Sequence, residues 1–266
     1  MRRRAVQGAA MLAMAAALLS GPGCQKQAPP APGIYPAPDT SFFGRRSQVR
    51  LSAEKADVAV IFIGGFTEQV LIHLRRMYEE IPPLPLKGRQ VRASYAWDGG
   101  RGCLLFHNTR LIQRDLRRFL QVNPRADLVF VGHSYGGSAI MDILRHVPDR
   151  QGRTVVVTLD AVSCRARSRP RERAAGITYW INVYCSPYRH IKDLAASLGG
   201  PWRHCEQADA NIVFSGRMRD RRFRRYQHAQ PLPMFVDRAP GQERSAHEML
   251  IDACYCFGIG NPQADK

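Results

Sequence analysis

The 266-residue chain contains no CxxC pair, and its only closely spaced cysteines are Cys254 and Cys256. Cysteine-based metal sites usually contain such pairs, so the sequence gives no support for a metal centre. The chain also lacks internal repeats and any nucleic-acid-binding motif. Acidic residues are scarce, with 22 Asp and Glu against 39 Lys and Arg and a formal net charge of +17. These features exclude a repeat architecture and leave an excess of positive charge to be explained.

The N-terminus has the pattern of an export signal. A basic segment at residues 2–4 precedes an apolar run, residues 9–19, that is too short to cross a bilayer. The following Gly21-Pro22-Gly23-Cys24 resembles a bacterial lipoprotein signal, although Gly21 stands where an aliphatic residue is usual. We predict a signal peptide over residues 1–23 and export to the cell envelope, periplasmic or on the outer surface. Lipidation of Cys24, ordinary secretion and an uncleaved anchor remain alternatives.

Residues 24–50 are rich in proline, with prolines at positions 29, 30, 32, 36 and 38. Such a composition predicts an extended tether. The remaining residues, 51–266, are long enough to form one large domain with a substantial core. A tether between an anchor and a soluble domain is what a lipoprotein would need.

The chain has seven cysteines, so six remain if Cys24 is lipidated. In an exported protein an even set of cysteines favours disulfides, but six cysteines allow fifteen pairings and the sequence does not choose among them. Buried free thiols are the alternative. The six are Cys103, Cys164, Cys185, Cys205, Cys254 and Cys256.

Two arginine-rich runs, residues 165–173 and 217–225, carry much of the positive charge. The first has few aromatic residues, so nucleic acid is a poor fit as a partner. For an exported protein, anionic lipid head groups or surface polymers fit better. The alternative is that both runs are solvated loops.

Apolar runs typical of strands alternate with segments of helical periodicity. Strands are predicted at 57–63, 91–97, 128–133, 154–159, 177–184 and 211–215, and helices at 67–78, 105–120, 135–147 and 248–257. Segments 161–176 and 217–245 are predicted to be irregular. Alternation of this kind predicts an α/β fold with a mostly parallel central sheet and helices on both faces.

Residues 132–136, with the sequence G-H-S-Y-G, follow the strand-like run and precede a helical pattern. They match the G-x-S-x-G motif, in which a sharp strand-to-helix turn exposes a serine nucleophile. The flanking glycines suit a position where a Cβ would crowd the strand and the helix. We therefore predict that Ser134 is a catalytic nucleophile; a helix cap is the alternative role.

The chain resembles the α/β-hydrolase family over residues 57–257. The resemblance rests on this motif, on the strand that ends at Gly64-Gly65-Phe66 and on the sequence T-L-D-A-V at residues 158–162. The resemblance is greatest to its lipase-like and esterase-like members. It implies the α/β-hydrolase fold and a catalytic serine followed along the chain by an acid and then by a histidine.

A serine hydroxyl needs a histidine to accept its proton and a carboxylate to orient that histidine. Asp160 is the preferred acid because it follows the strand after the nucleophile helix, where some lipases of the family have theirs, although Ala161 replaces their proline. The family's more usual position, one strand later, favours Asp193, with Asp209 more remote. A turn cap is the alternative role for Asp160.

Two histidines are candidates for the base. His247 precedes the predicted C-terminal helix, as the family's base does, and is preferred to His228, which follows the last predicted strand but lies in an arginine-rich context. His133 is in the turn itself and is not expected to serve Ser134. The alternative for His247 and for His228 is that each is an ordinary surface histidine.

An oxyanion hole requires backbone N–H donors. The resemblance implies the amides of Tyr135 and Phe66. The sequence thus predicts an exported serine esterase that forms an acyl-enzyme, without metal or organic cofactor, on a lipid or small-molecule ester. Alternatives are a thioesterase or acyltransferase with the same triad, or a catalytically silent hydrolase fold that binds the envelope through its arginine-rich runs.

Overall fold

The computed structural model describes residues 48–65, 73–96, 109–147, 150–163, 172–186, 200–215 and 228–261. All of them belong to one compact unit. The predicted signal peptide and Cys24 lie outside the described residues. The end of the predicted tether lies within them, where Val49 pairs with Ser94 through two backbone hydrogen bonds of 2.9 and 2.8 Å.

Six parallel strands form one sheet in the order β2-β1-β3-β4-β5-β6. The strands are β1 (Val58–Gly64), β2 (Gln90–Ala96), β3 (Asp127–His133), β4 (Thr154–Leu159), β5 (Tyr179–Cys185) and β6 (Ala210–Phe214). The helices among the described residues are α1 (His73–Glu80), α2 (Arg110–Val122), α3 (Tyr135–His146), α4 (Pro231–Val236) and α5 (Ala246–Cys256).

Three adjacent interior strands are buried along their whole length. Every residue of β1, β3 and β4 is buried, and this explains their continuous apolar sequences, because both faces of a parallel sheet are covered. Helices α1, α4 and α5 contribute to one core with alternate strand residues, while α3 packs against β3, β1 and β4. The predicted α/β class, with a parallel sheet and helices against it, is confirmed.

The predicted strands agree with the observed ones to within about two residues. The last helix begins at Ala246 rather than at 248, because Ser245 and Glu248 form a capping box around its first turn. A short helix, α4, lies inside the segment 217–245 that was predicted to be irregular. Parts of the predicted helices at 67–78 and 105–120 lie outside the described residues.

The order of the strands reverses between β1 and β3. The chain passes outward from β1 to β2 and then returns to the other side of β1 to form β3 and the later strands. In open parallel sheets a ligand site lies at the carboxyl ends of the strands at such a switch point. Gly65 follows β1 and Ser134 follows β3, so both lie at this position.

No disulfide joins the four cysteines within the described part of the chain, which are Cys185, Cys205, Cys254 and Cys256. Cys254 is buried and Cys256 is exposed. Cys103 and Cys164 lie outside that part, so the disulfide prediction is untested for them. None of the described helices is long and apolar enough to span a membrane.

Candidate active site

Ser134 occupies a sharp turn between β3 and α3. Its backbone angles are φ 56° and ψ −128°, a conformation that an L-residue rarely adopts. Backbone strain of this kind is concentrated at functional sites. Two backbone hydrogen bonds tie the turn to the end of β4 and the residues after it: the Ser134 N–H donates to the Leu159 carbonyl, and the Val162 N–H donates to the Ser134 carbonyl, each at 3.0 Å. The segment after β4 therefore fixes the conformation of Ser134.

Two glycines allow the close approach of β1 to this turn. A Cβ placed on Gly65 would lie 2.5 Å from the Cβ of Ser134 and 2.9 Å from its Oγ, and a Cβ on Gly136 would overlap the carbonyl oxygen of Ile63. Distances this short do not occur for real Cβ atoms. Glycine at these two positions is therefore what lets the serine turn pack against the end of β1.

Ser134, His228 and Asp160 form a hydrogen-bonded chain. His228 Nε2 lies 2.8 Å from Ser134 Oγ, and His228 Nδ1 lies 2.7 Å from Asp160 Oδ2. Because a carboxylate oxygen accepts, Nδ1 carries the hydrogen and the neutral imidazole leaves Nε2 free to accept the serine proton. The exposed fractions of Ser134 and His228 are 4% and 7%, and Asp160 is fully buried.

Asp160 is held by its own backbone and by the next strand. Its φ angle is 44°, its N–H donates to the Val183 carbonyl at 2.7 Å, and its Oδ1 accepts the Cys185 N–H at 3.1 Å. A buried carboxylate is costly unless hydrogen-bonded. These contacts leave Oδ2 directed at His228. Asp160 therefore orients the ring while both of its carboxylate oxygens keep hydrogen-bond partners.

The structure does not bring His247, the preferred base, to the serine. His247 lies in the first turn of α5, and its ring packs against Phe235 with 5.0 Å between the ring centroids. Among the hydrogen bonds of the described residues, none joins it to Ser134 or Asp160. Burial lowers the pKa of His247 below its ordinary value of 6.5. His228, the sequence's second choice, lies next to Ser134 instead.

A sequence signal for the position of His247 was available. Ser245-Ala246-His247-Glu248 is a capping-box pattern, with the Ser245 hydroxyl accepting the Glu248 N–H at 3.1 Å and Glu248 accepting the Ser245 N–H at 2.7 Å. The pattern makes Ser245 the N-cap and therefore places His247 inside the helix rather than in the loop before it.

His133, which sequence reasoning set aside, contacts the same residue as its neighbour Ser134. Its Nε2 lies 2.6 Å from the carbonyl oxygen of His228, and the two imidazole rings are 4.9 Å apart. Burial, together with the charges that His228 and His73 can carry, holds the pKa of His133 well below 6.5.

Of the remaining predicted site residues, only some lie within the described part of the chain. Tyr135 begins α3, so its amide belongs to a helix N-terminus, where backbone donors favour negative charge. Phe66 and Asp193 lie outside the described residues. Asp209 pairs with Arg173 at 2.9 Å and accepts the backbone N–H of Trp180, a structural role at the amino end of β5.

Across the described ranges no cluster of three His, Cys, Asp or Glu side chains is arranged to hold a metal ion. No protein-family model matches the chain, and no curated protein sequence matches it significantly. The arrangement of Ser134, His228 and Asp160 therefore has to be interpreted from its own geometry.

Proposed function

We propose that this protein is a serine hydrolase that cleaves carboxylic esters through an acyl-enzyme. The observation that carries the proposal is the chain of two hydrogen bonds, 2.8 and 2.7 Å, from Ser134 through His228 to Asp160. A nucleophile, a base and an orienting acid within hydrogen-bond reach are the minimum that acyl transfer requires. The strained turn at Ser134, after a parallel strand and before a helix, agrees with the α/β-hydrolase resemblance.

In the first half-reaction, Ser134 Oγ bonds to the ester carbonyl carbon while His228 Nε2 takes the hydroxyl proton. The tetrahedral intermediate then collapses as its bond to the leaving alcohol breaks, and that alcohol receives the proton from Nε2. Asp160 accepts a hydrogen bond from the Nδ1–H throughout, without taking the proton, and stabilises the imidazolium that forms.

In the second half-reaction, a water attacks the acyl-enzyme and gives its proton to His228 Nε2. The bond from the acyl carbon to Ser134 Oγ breaks, the serine recovers the proton, and the carboxylic acid leaves. The backbone N–H of Tyr135, at the N-terminus of α3, is one proposed donor to the oxyanion. The amide of Phe66 is the other, as the family resemblance implies.

A thioesterase or acyltransferase would use the same three residues, with a thiol as the leaving group or an alcohol in place of water. The catalytically silent alternative is less well supported, because His228 lies within hydrogen-bond reach of Ser134. Export, lipidation of Cys24 and contact of the arginine-rich runs with anionic lipid remain proposals from the sequence.

The proposal is tested by labelling the purified protein with a fluorophosphonate, which reacts with activated serines. Ser134→Ala should remove labelling and ester hydrolysis. Ser138→Ala is the matched control: Ser138 is also buried, but its hydroxyl donates to the Tyr135 carbonyl one turn into α3. Labelling that survives Ser134→Ala, or a folded wild type that is not labelled, would contradict the proposal.

A further inference from the structure

We propose that His133 is a positioning residue, which holds the main chain of the base His228 so that its ring meets Ser134. This role rests on the proposed function and belongs to the first of the two variable residues of the G-x-S-x-G turn. The adjacent residues His133 and Ser134, at the end of β3, thereby contact two different parts of His228. Ser134 contacts its ring, and His133 contacts its backbone carbonyl.

A hydrogen bond joins the His133 ring to the main chain of His228. His133 Nε2 lies 2.6 Å from the His228 carbonyl oxygen. A carbonyl can only accept, so Nε2 must carry a hydrogen and donate it. His133 is 4% exposed, and a hydrogen bond shielded from water has little competition from solvent.

The surroundings of the other ring nitrogen select the tautomer of His133. Nδ1 of His133 is buried and has no hydrogen-bond partner among the described residues. A proton there would create a buried cation without a partner, which is unfavourable. His133 is therefore held as the neutral tautomer with hydrogen on Nε2, the form that the bond to His228 requires. In this form the nitrogen with the free lone pair is Nδ1, which is buried away from solvent.

The rings of His133 and His228 also pack against each other. The His133 and His228 rings lie 4.9 Å apart with 36° between their planes. His133 thus limits the tilt of the base as well as the position of its backbone. His228 is followed closely by α4, whose N-cap is Gln230, and the strand-end contact from His133 fixes the chain just before that helix.

Precise placement of the base matters because its Nε2 must reach Ser134 while its Nδ1 reaches Asp160. Displacements of about 1 Å in a catalytic group can cost about 10²-fold in rate. Loss of the anchor should therefore lower kcat and leave KM almost unchanged, because the contact that is lost is with the His228 carbonyl.

The test compares His133→Gln with His133→Met. A glutamine amide can donate from near the position of Nε2, whereas methionine fills a similar volume and cannot donate. We expect His133→Met to lower kcat about 10- to 100-fold with KM within about twofold. His133→Gln should stay within about threefold of wild type. The rate of fluorophosphonate labelling should follow kcat, and the two variants should have similar Tm values.

If His133→Met does not fold, His133→Asn replaces it, since its amide is one methylene too short to reach the carbonyl and should behave as the methionine variant does. Wild-type kcat in His133→Met, or equal losses in the Gln and Met variants, would overturn the positioning role and leave the proposed function standing. A folded wild type that is not labelled would overturn both.

Discussion

Ser134 and Asp160 are the only non-glycine residues in the described part of the chain with positive φ angles, 56° and 44°. Each directly follows one of two neighbouring parallel strands, β3 and β4. Leu159 and Val162, on either side of Asp160, both hydrogen-bond to the Ser134 backbone. Conformations of this kind cost on the order of 1–3 kcal/mol each and persist where the surroundings enforce them. The strain of the proposed nucleophile and that of the proposed acid are thus held by one set of backbone contacts.

His228→Asn should lower kcat for ester hydrolysis about 10⁶-fold, since removing the base leaves only binding and oxyanion stabilisation. His247→Asn is the matched variant and should stay within about threefold of wild type, because that side chain packs on Phe235. The kcat values of the two purified variants check this. A larger loss in His247→Asn than in His228→Asn would reverse the assignment of the base.

Asp160→Asn should lower kcat about 10⁴-fold, the effect expected when an amide replaces the orienting carboxylate and favours the wrong histidine tautomer. Asparagine tolerates positive φ, so the turn should persist and Tm should change little. Asp252→Asn is the control, because Asp252 is an exposed partner of Arg244. Near wild-type kcat in Asp160→Asn would remove Asp160 from the mechanism.

Gly65→Ala should reduce activity about 10²-fold or more, since the new methyl would lie 2.5 Å from the Cβ of Ser134 and displace the nucleophile. Gly241→Ala is the control, with φ 78° and nothing within 4 Å of a Cβ. It should cost about 1–2 kcal/mol of stability and no activity. Urea unfolding and kcat, measured on both variants, separate the two effects, and full activity in Gly65→Ala would refute the close packing.

Stability should fall as the pH is lowered below 6.5. Folding holds the pKa values of His133 and His247 below their ordinary 6.5, so in that range the unfolded chain binds protons that the native state does not, and protonation favours unfolding. Each histidine contributes a slope of at most about 1.4 kcal/mol per pH unit, fully developed below 6.5 and above its folded pKa.

The check is the free energy of unfolding in urea between pH 7.5 and 5.5, for wild type, His133→Gln and His247→Gln. Each variant should show a shallower decline than wild type below pH 6.5 and a parallel curve above pH 7. Declines of equal steepness in all three proteins would argue against neutral buried histidines at these positions.

Cys256 should react with iodoacetamide in the native protein, and Cys254 should not. Cys256 is exposed, whereas burial raises the pKa of Cys254 to about 12 and leaves little thiolate at neutral pH. Peptide mass mapping after a short reaction at pH 8, with and without urea, distinguishes them. Modification of Cys254 before unfolding, or a disulfide between the two, would contradict the structure.

Local sequence determined the fold class and the position of the proposed nucleophile. A buried parallel strand requires a continuous apolar run, and the turn at Ser134 requires Gly136 beside it, so the strand, turn and helix could be recognised from a few adjacent residues. Asp160 could be ranked first because it follows the strand after the nucleophile helix, and neighbouring parallel strands end at the same edge of the sheet.

The choice of the histidine was decided by the tertiary structure. His228 is 94 residues from Ser134 along the chain, and no local pattern shows which distant loop returns to the carboxyl edge of β3. The contact of His133 with the His228 carbonyl depends on the same return and could not be read from the G-H-S-Y-G motif. Local periodicity and turn chemistry act over a few residues, whereas a triad joins segments whose proximity exists only after the sheet and its helices have packed.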